Sequence, residues 1–400
     1  MYSVQVLFFK QTEFKLHNGH YKTWLLITAL FLPVSSALFA QETGDRFSWH
    51  GQIRSGYYFN TDKSVTGISS TDHEWRTRLR LGFQYQVSSD LMFRTRAAGR
   101  YSTIQDRFRF TLDDHTAGAT GLRLGETTID EFNVTWTPTE RLWVRGGRFQ
   151  LSFPLRGVAQ KGLNRYDAPN TAVAFTDGLW LRLQFHDNWE IHLVSEYNSP
   201  SGASSAVRSP LRFDDSGSRI SWWSMLRHRH TDGFWSQREL SVNLLPNTFE
   251  KDESLQNYIV ITSRLGINVP ADISFADLSV GLEFGYVPKI PPAADLGFSD
   301  QDTIGDDAFA WQSAINFTNM DIFGLQNNTA FLYGQIDPGW LTSPSFIPNS
   351  RAIEFRHQIV FTSVMSFEFR YRFRSQLKIP DSVSQGREIH DIYARITYRF

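Results

Sequence analysis

Apolar and polar residues alternate with a period of two in many segments of this 400-residue chain. In residues 75–87, WRTRLRLGFQYQV, one set contains Trp75, Leu79 and Phe83, and three arginines stand in the other set. A β-strand turns successive side chains to opposite faces, so this period predicts strands that have one apolar and one polar face. No helical period of 3.6 residues competes with the pattern. The sequence therefore predicts an all-β fold.

The alternation predicts about sixteen strands, an even number within the range of transmembrane barrels. They are expected at 47–59, 75–87, 91–101, 126–137, 142–149, 179–185, 189–197, 220–229, 238–245, 259–267, 278–286, 309–317, 325–334, 351–363, 365–374 and 392–400.

The connections between these strands alternate in length. Short links are expected at 88–90, 137–140, 186–188, 269–272 and 318–321, and long ones near 61–72, 102–124, 150–170, 198–218, 287–305 and 335–350. Outer-membrane barrels sort their connections in this way, with short periplasmic turns and long extracellular loops. The sequence thus predicts a transmembrane up-and-down antiparallel β-barrel.

Composition agrees with a barrel and disfavours other classes. The chain is 41% hydrophobic and 15% aromatic, and no helix-length apolar run of about 18 residues occurs after residue 40. Cysteine is absent, which excludes disulfides and cysteine zinc sites. The formal charge of −1 gives no reason to expect nucleic acid as a partner.

The N-terminus has the three parts of a secretory signal. His20, Tyr21 and Lys22 precede an apolar run at 24–34, and the small residues of 35–41 follow it. We predict cleavage near Ala37 or Ala40, so that 1–40 is an N-terminal extension with a signal peptide and 41–400 is the barrel. An uncleaved membrane anchor is the alternative.

The polar faces of the predicted strands are rich in arginine. Of the forty basic residues only eight are lysines, and the five lysines after residue 40 are expected in long loops. An arginine in the middle of a bilayer costs about 2 to 4 kcal/mol, so Arg76, Arg78 and Arg80 are expected to face the lumen. A guanidinium is planar, and its N–H groups can bind a carboxylate or a phosphate through two hydrogen bonds.

In an up-and-down barrel the last strand closes against the first, which would gather many of these arginines into one basic wall. The predicted pore-lining residues are Arg54, Arg76, Arg78, Arg80, Arg94, Arg96, Arg100, Arg145, Arg182, Arg370, Arg372, Arg374, Arg395, Arg399, Glu131, Glu354 and Glu368. Such a wall attracts anions. The alternative is an internal ladder, in which the arginines pair with lumenal glutamates and with loop aspartates such as Asp113, Asp114, Asp214 and Asp215.

Catalytic and metal-binding patterns are weak. The sequence has no G-x-S-x-G or H-E-x-x-H motif. His357 and Ser363 share a face, but a rise of about 3.3 Å per residue places them too far apart to hydrogen-bond. His228 and His230 share a face, but no third metal ligand accompanies them. Asp113, Asp114 and His115 form a loop group that is too common in sequences to indicate a protease site. We predict no enzyme activity, no cofactor and no metal.

The C-terminus ends on an alternating strand with Tyr398 and Phe400. It resembles the C-terminal signature of Gram-negative outer-membrane β-barrels, which implies recognition by the barrel-assembly machinery. A second resemblance covers residues 125–200, where RGGRFQLS at 145–152 and FTDGLWLRLQF at 175–185 are similar to the alginate-export-type porin family. Phe149 stands where that family usually has glutamine. This resemblance implies a passive channel narrowed by inserted loops, with eighteen strands as the alternative count.

Three functions follow as hypotheses. The first is an outer-membrane channel for small anionic or polar solutes, such as uronates, organic acids or phosphate. The second is a secretion pore for an alginate-like polyuronate, and the third is a non-conducting structural or adhesive barrel. We expect the barrel to be surrounded by outer-membrane lipid. Its expected oligomeric state is a monomer or a homotrimer.

Overall fold

The computed structural model describes residues 46–104, 107–109, 112–118, 121–127, 129–164, 176–198, 219–228, 233–270, 275–299, 304–343 and 345–400. The predicted signal segment, Asp214, Asp215 and His230 lie outside these residues, as do the side chains of Arg100, Asp113, Asp114 and His115. Among the described residues, no helix is long and apolar enough to cross a membrane.

The described residues form mostly strands, with one short 3-10 helix at Ala293–Leu296. The strands are β1 (Phe47–Lys63), β2 (Ser69–Gln86), β3 (Leu91–Ser102), β4 (Arg107–Arg109), β5 (Leu112–Gly118), β6 (Gly121–Thr127), β7 (Ile129–Thr139), β8 (Leu142–Phe149), β9 (Thr176–His186), β10 (Trp189–Asn198), β11 (Arg219–His228), β12 (Trp235–Lys251), β13 (Ser254–Val269), β14 (Asp277–Val287), β15 (Ala308–Ile322), β16 (Leu325–Ile336), β17 (Ser350–Val360), β18 (Met365–Gln376) and β19 (Glu388–Arg399).

Sixteen of these strands close into an antiparallel barrel. Each pairs with the next along the chain, except that β3 pairs with β7, and β1 closes the ring by pairing with both β2 and β19. The strands β4, β5 and β6 belong to the connection between β3 and β7, where β5 and β6 form a hairpin. The prediction of a sixteen-stranded up-and-down barrel is confirmed, and the alternative of eighteen is wrong.

The two faces of the strands differ in the way that the alternation predicts. On β7, Glu131, Asn133 and Thr135 are buried, whereas Phe132 and Trp136 are 45% and 47% exposed. A closed barrel buries the side chains that point inward and exposes those that point outward. Polar residues of β7 therefore face the interior and apolar residues form its outer surface.

Several connections differ from the prediction. The long loop expected near 61–72 is wrong, because β1 and β2 continue as a hairpin and leave only 64–68 between them. The link expected at 318–321 is also wrong, since β15 runs to Ile322 and the turn follows at Phe323 and Gly324. Two of the five lysines expected in loops, Lys63 and Lys251, are the last residues of strands.

The C-terminal residue takes part in barrel closure. The Gly51 N–H donates to the Phe400 carbonyl at 2.7 Å, and the Phe400 N–H donates to the Gly51 carbonyl at 3.1 Å. The Phe400 ring covers Gly51 so closely that a Cβ there would collide with it. The terminal phenylalanine therefore packs on the first strand as well as ending the last one.

The block at 145–185 is held together by one ion pair. The Arg148 guanidinium on β8 donates two hydrogen bonds of 2.7 Å to the Asp177 carboxylate on the neighbouring strand β9. Both residues are buried. The Arg148–Asp177 pair thus joins the two ends of the long connection between β8 and β9, which carries the site described next.

Candidate functional site

Strands β18, β19, β1, β2 and β3 are consecutive neighbours in the closed barrel. Their inward faces carry most of the arginines that the sequence singles out, and we call this surface the arginine wall. It consists of Arg54, Arg76, Arg78, Arg80, Arg94, Arg96, Arg370, Arg372, Arg374, Arg395 and Arg399, together with the backbone position of Arg100.

Three of these arginines converge on one carboxylate of the next strand. Arg370, Arg372 and Arg374 on β18 all pair with Asp391 on β19, and Arg372 Nε and Arg374 Nη2 lie 2.8 and 3.1 Å from Asp391 Oδ2. Asp391 is buried. A single carboxylate offsets only part of the charge of three guanidiniums, so this part of the wall remains positive.

A second cluster lies beside the first. Glu368 accepts a hydrogen bond from Arg395 at 2.7 Å and lies 3.6 Å from Arg356, which in turn donates to Glu354 at 2.5 Å. The ring of Tyr393 lies between two guanidiniums, with Arg370 Cζ and Arg395 Cζ 4.2 and 4.5 Å from its centroid. A cation over an aromatic face is attracted by the ring quadrupole, which helps to hold like charges close together.

Residues 75–86 of the alternating stretch WRTRLRLGFQYQV lie on β2. Arg78 and Arg80 are buried, whereas Leu81 and Tyr85 on the other face are 41% exposed. Arg76 pairs with Glu74, and Arg78 donates to the Gln52 side chain at 2.6 Å. Directly opposite on β1, Arg54 stands in register with Arg78. Of the partners named here for these arginines, Glu74 is a carboxylate and Gln52 is neutral.

The wall continues across β3 to β7. Arg96 Nη2 lies 3.0 Å from Glu131 Oε1, and Arg94 Nε lies 4.0 Å from the other oxygen of that carboxylate. Arg96 also donates to the side chain of Gln150, just beyond β8, at 2.8 Å. The backbone of Arg100 pairs with Arg78, also on the wall.

Arg145 and Arg182 lie against aromatic rings. Arg145 Cζ lies 4.5 Å from the Trp143 ring and 5.6 Å from the Trp180 ring, while Arg182 Cζ lies 5.5 Å from Trp143. Arg145 Nε also donates to Thr135 at 3.0 Å. The structure therefore places these two guanidiniums against indole faces, where no described carboxylate contacts them.

The connection between β8 and β9 crosses the interior. It begins beside β8, and its residues 154–163 are hydrogen-bonded to strands on the opposite side of the barrel. The Arg156 N–H donates to Gln237 on β12 at 2.8 Å, the Val158 N–H to Asn316 on β15 at 2.9 Å, and the Leu163 N–H to Glu283 on β14 at 3.1 Å. We call residues 150–164 the crossing loop.

The crossing loop is held by apolar packing as well as by hydrogen bonds. Leu155, Ala159 and Leu163 pack into a buried cluster with Tyr258, Ile290 and Trp340, which come from β13 and from the connections after β14 and β16. The Trp340 indole N–H donates to the Leu163 carbonyl at 2.9 Å. The crossing loop and the connections after β14 and β16 therefore fill part of the barrel interior.

A cavity of about 380 Å³ lies between the crossing loop and the wall. Gly157, Val158 and Gln160 of the loop line it on one side. The strands line it with Arg54, Arg395, Arg399, Glu368, Asn319, Asn328, Gln358, Thr318, Ser366 and Thr397. The lining residues are polar except for Gly157 and Val158, so the cavity suits a hydrophilic occupant.

Sequence reasoning missed Asp391, Arg356 and Lys161. Arg356 stands within the strand expected at 351–363, and its inward parity could have identified it, whereas Asp391 precedes the strand expected at 392–400 and lies on β19 because that strand begins at Glu388. Lys161 was expected in a loop, where it does lie, but its ammonium is 3.3 Å from Glu354. The resemblance over residues 125–200 implies inserted loops, but nothing in the sequence around Lys161 indicates its contact with Glu354.

The weak catalytic patterns do not assemble into sites among the described residues. His357 hydrogen-bonds Thr329 at 2.8 Å, and His228 is within 2.8 Å of Arg238. In the part of the chain that the structure describes, no three His, Asp or Glu side chains are arranged to hold a metal ion. The arginine wall and its cavity therefore remain the candidate site.

Solved structures with a similar fold are porins. OprB of Pseudomonas putida has a TM-score of 0.55 at 12% identity, covering 89% of this chain and 94% of its own. The anion-selective porin of Comamonas acidovorans has a TM-score of 0.51 at 10% identity, covering 88% and 99%. OccK2 of Pseudomonas aeruginosa, in complex with glucuronate, has a TM-score of 0.50 at 9% identity, covering 88% and 96%. No protein-family model and no curated protein matches the sequence. The fold of this chain is thus that of the porin barrels.

Proposed function

We propose that this chain is an outer-membrane channel for the passive diffusion of small anionic solutes. The observation that carries the proposal is the arginine wall, where, among the side chains that the structure describes, guanidiniums on neighbouring strands outnumber the carboxylates Glu74, Glu131, Asp391 and Glu368 with which they pair. Excess positive charge along a narrow passage raises the local concentration of anions and lowers that of cations. The anion-selective porin of Comamonas acidovorans shares the fold, which makes this use of a barrel physically reasonable.

The test is a reversal potential. The purified protein is reconstituted into a planar bilayer that separates two concentrations of potassium chloride. We expect a reversal potential whose sign corresponds to chloride preference, and we expect the preference to decline as salt screens the wall. A reversal potential that shows potassium preference would overturn the proposal.

The location rests on the two ends of the sequence. We propose export by the signal peptide within 1–40, with cleavage near Ala37 or Ala40, and recognition of Tyr398 and Phe400 by the barrel-assembly machinery. Phe400 is 40% exposed on the outer surface, next to Tyr398, which supports a role in such recognition. N-terminal sequencing of protein taken from the outer-membrane fraction tests the export and the cleavage, and the amount of a variant without Phe400 in that fraction tests the recognition.

Polyuronate secretion is the second candidate. It is supported by the same arginines and by the similarity of 145–185 to alginate-export-type porins. The crossing loop favours small solutes over a polymer, because it is bonded to strands on the far side of the interior. A closed structural or adhesive barrel is the third candidate, and any measurable single-channel conductance would exclude it.

A further inference from the structure

The cavity between the crossing loop and the wall has two chemically different sides. Its cationic side is formed by Arg54, Arg395 and Arg399. On β1 and β19, Arg54 stands opposite Thr397 and Gly56 stands opposite Arg395, so the two strands bring the guanidiniums to neighbouring levels. Guanidiniums suit a carboxylate, which they bind through charge-assisted hydrogen bonds.

The other side of the cavity is neutral and consists of side-chain amides. The Asn328 side chain donates to Gln358 at 3.2 Å, and the Asn319 N–H donates to Asn328 at 3.1 Å. Ser366 and Thr397 also line the cavity and add hydroxyl groups. Amides and hydroxyls both donate and accept, which is what a ligand with several hydroxyl groups requires.

The charge of the cavity favours an anionic ligand. Three guanidiniums and one carboxylate line it, and that carboxylate, Glu368, is held by Arg395 at 2.7 Å. The lining groups therefore carry a net positive charge, which attracts an anion. The volume of about 380 Å³ lies within the range of small-molecule sites.

We infer that this cavity is a binding site for hydroxylated carboxylates, that is, sugar acids. The carboxylate contacts the guanidinium side and the hydroxyl groups contact Asn328, Gln358 and Gln160. This inference rests on the proposed function, because it requires anions to reach the cavity. It adds that the channel holds one class of anion at a defined place.

The test compares three probes on the reconstituted channel: gluconate, hexanoate and glucose. Gluconate has both chemical features, hexanoate has the carboxylate without hydroxyls, and glucose has the hydroxyls without the charge. We expect gluconate to reduce the chloride current saturably, with an apparent affinity at least about tenfold higher than that of either other probe, the equivalent of about 1.4 kcal/mol.

Two variants test separately what the neutral side and the cationic side of the cavity contribute to binding. Gln358→Met keeps the size of the side chain and removes its hydrogen bonds, so we expect it to abolish the preference for gluconate over hexanoate. Arg399→Gln is expected to lower the apparent affinities for gluconate and for hexanoate by the same factor. Arg351→Gln is the matched control, because Arg351 is exposed on β17 and bonds Ser375, away from the cavity.

The outcomes separate this inference from the proposed function. Equal affinity for gluconate and hexanoate in an anion-selective channel would overturn the sugar-acid site and leave the proposed function standing. The same holds if Gln358→Met leaves the gluconate preference unchanged while the heat-modifiable mobility of the variant shows a folded barrel. Cation preference of the unmodified channel would overturn both.

Discussion

The Lys161 ammonium lies 3.3 Å from a carboxylate oxygen of Glu354, and both side chains are buried in the barrel interior. Lys161 belongs to the crossing loop, which starts at β8, whereas Glu354 stands on β17 on the far side. Glu354 also accepts from Arg356, beside the arginine wall. The Glu354 carboxylate therefore contacts both the crossing loop and a guanidinium beside the arginine wall.

Glu354→Gln is expected to release the crossing loop. The change leaves Lys161 and Arg356 buried without their carboxylate, and breaking a buried ion pair from one side costs about 3 to 5 kcal/mol. We expect larger and noisier single-channel conductance, and partial recovery in the double variant Glu354→Gln, Lys161→Met. Glu74→Gln is the control, since Glu74 pairs with Arg76 on β2. Unaltered conductance in Glu354→Gln would show that the pair does not hold the loop.

Docking of the crossing loop is expected to strengthen at alkaline pH. Burial lowers the pKa of the Lys161 ammonium well below its ordinary value of 10.5, and the nearby Glu354 only partly opposes this. Between the lowered pKa and 10.5, the released loop binds more protons than the docked loop, so the free energy of docking becomes more favourable as pH rises.

The measurement is the open-channel noise between about pH 7 and about pH 10. We expect the noise to fall with pH in the unmodified channel and to be independent of pH in Lys161→Met. A rise of noise with pH in the unmodified channel alone would mean that loss of the ion pair outweighs relief of the buried charge.

Replacement of Arg76, Arg78 and Arg80 by glutamine is expected to lower the anion preference of the channel. Glutamine keeps hydrogen-bonding groups while removing three positive charges from one strand of the wall. The reversal potential in a chloride gradient should move toward zero. Arg351→Gln removes a charge from an exposed position and should leave it unchanged. A shift in Arg351→Gln of about one third of that in the triple variant, which loses three charges instead of one, would point to overall charge and not to the wall.

Asp391→Asn is expected to destabilise the barrel and to increase its anion preference. It removes the carboxylate that Arg370, Arg372 and Arg374 share, at a cost of about 3 to 5 kcal/mol for a buried pair. Thermal unfolding followed by electrophoretic mobility measures the first effect.

The matched control for Asp391 is Asp62→Asn. Asp62 pairs with Arg387, whose side chain is 43% exposed, so solvent screening should limit the cost to about 0 to 1 kcal/mol. If both variants lose the same stability, the buried three-arginine cluster is no more important than an exposed pair.

Gly285→Ala is expected to displace the loop between β16 and β17. A Cβ at Gly285 would overlap the rigid Trp340 ring, which is fully buried and cannot rotate away without leaving its place. We expect higher conductance and a lower unfolding temperature. Gly146→Ala is the control, because its Cβ would meet only Leu179, at 3.8 Å. Equal conductance in the two variants would contradict a packed role for Trp340.

Part of the candidate site was visible in the alternation itself. Arg370, Arg372 and Arg374 occupy every second position between Phe369, Tyr371 and Phe373, and an isolated strand already separates two such sets. Their partner Asp391 lies on the next strand, and only the register between β18 and β19 sets it opposite Arg372. Register depends on the pairing of whole strands, which the local pattern does not contain.

Strand ends were the least predictable part of the fold. The hairpin of β1 and β2 extends past Phe59 to Lys63 through polar residues that follow no apolar period, because backbone pairing with β2 and β19 satisfies its hydrogen bonds. Alternation reports only where one face is buried in apolar surroundings, and it disappears where a hairpin continues beyond them.

The sequence by itself determined the barrel, its sixteen strands and the polarity of their two faces, since these follow from side-chain period and chain closure. Tertiary structure alone decided that the crossing loop reaches β12, β14, β15 and β17, and that Lys161 meets Glu354. The physical reason is that loop position depends on contacts between residues far apart in the chain, such as Trp340 with Leu163. No local pattern encodes those contacts, and they set the shape of the space beside the arginine wall.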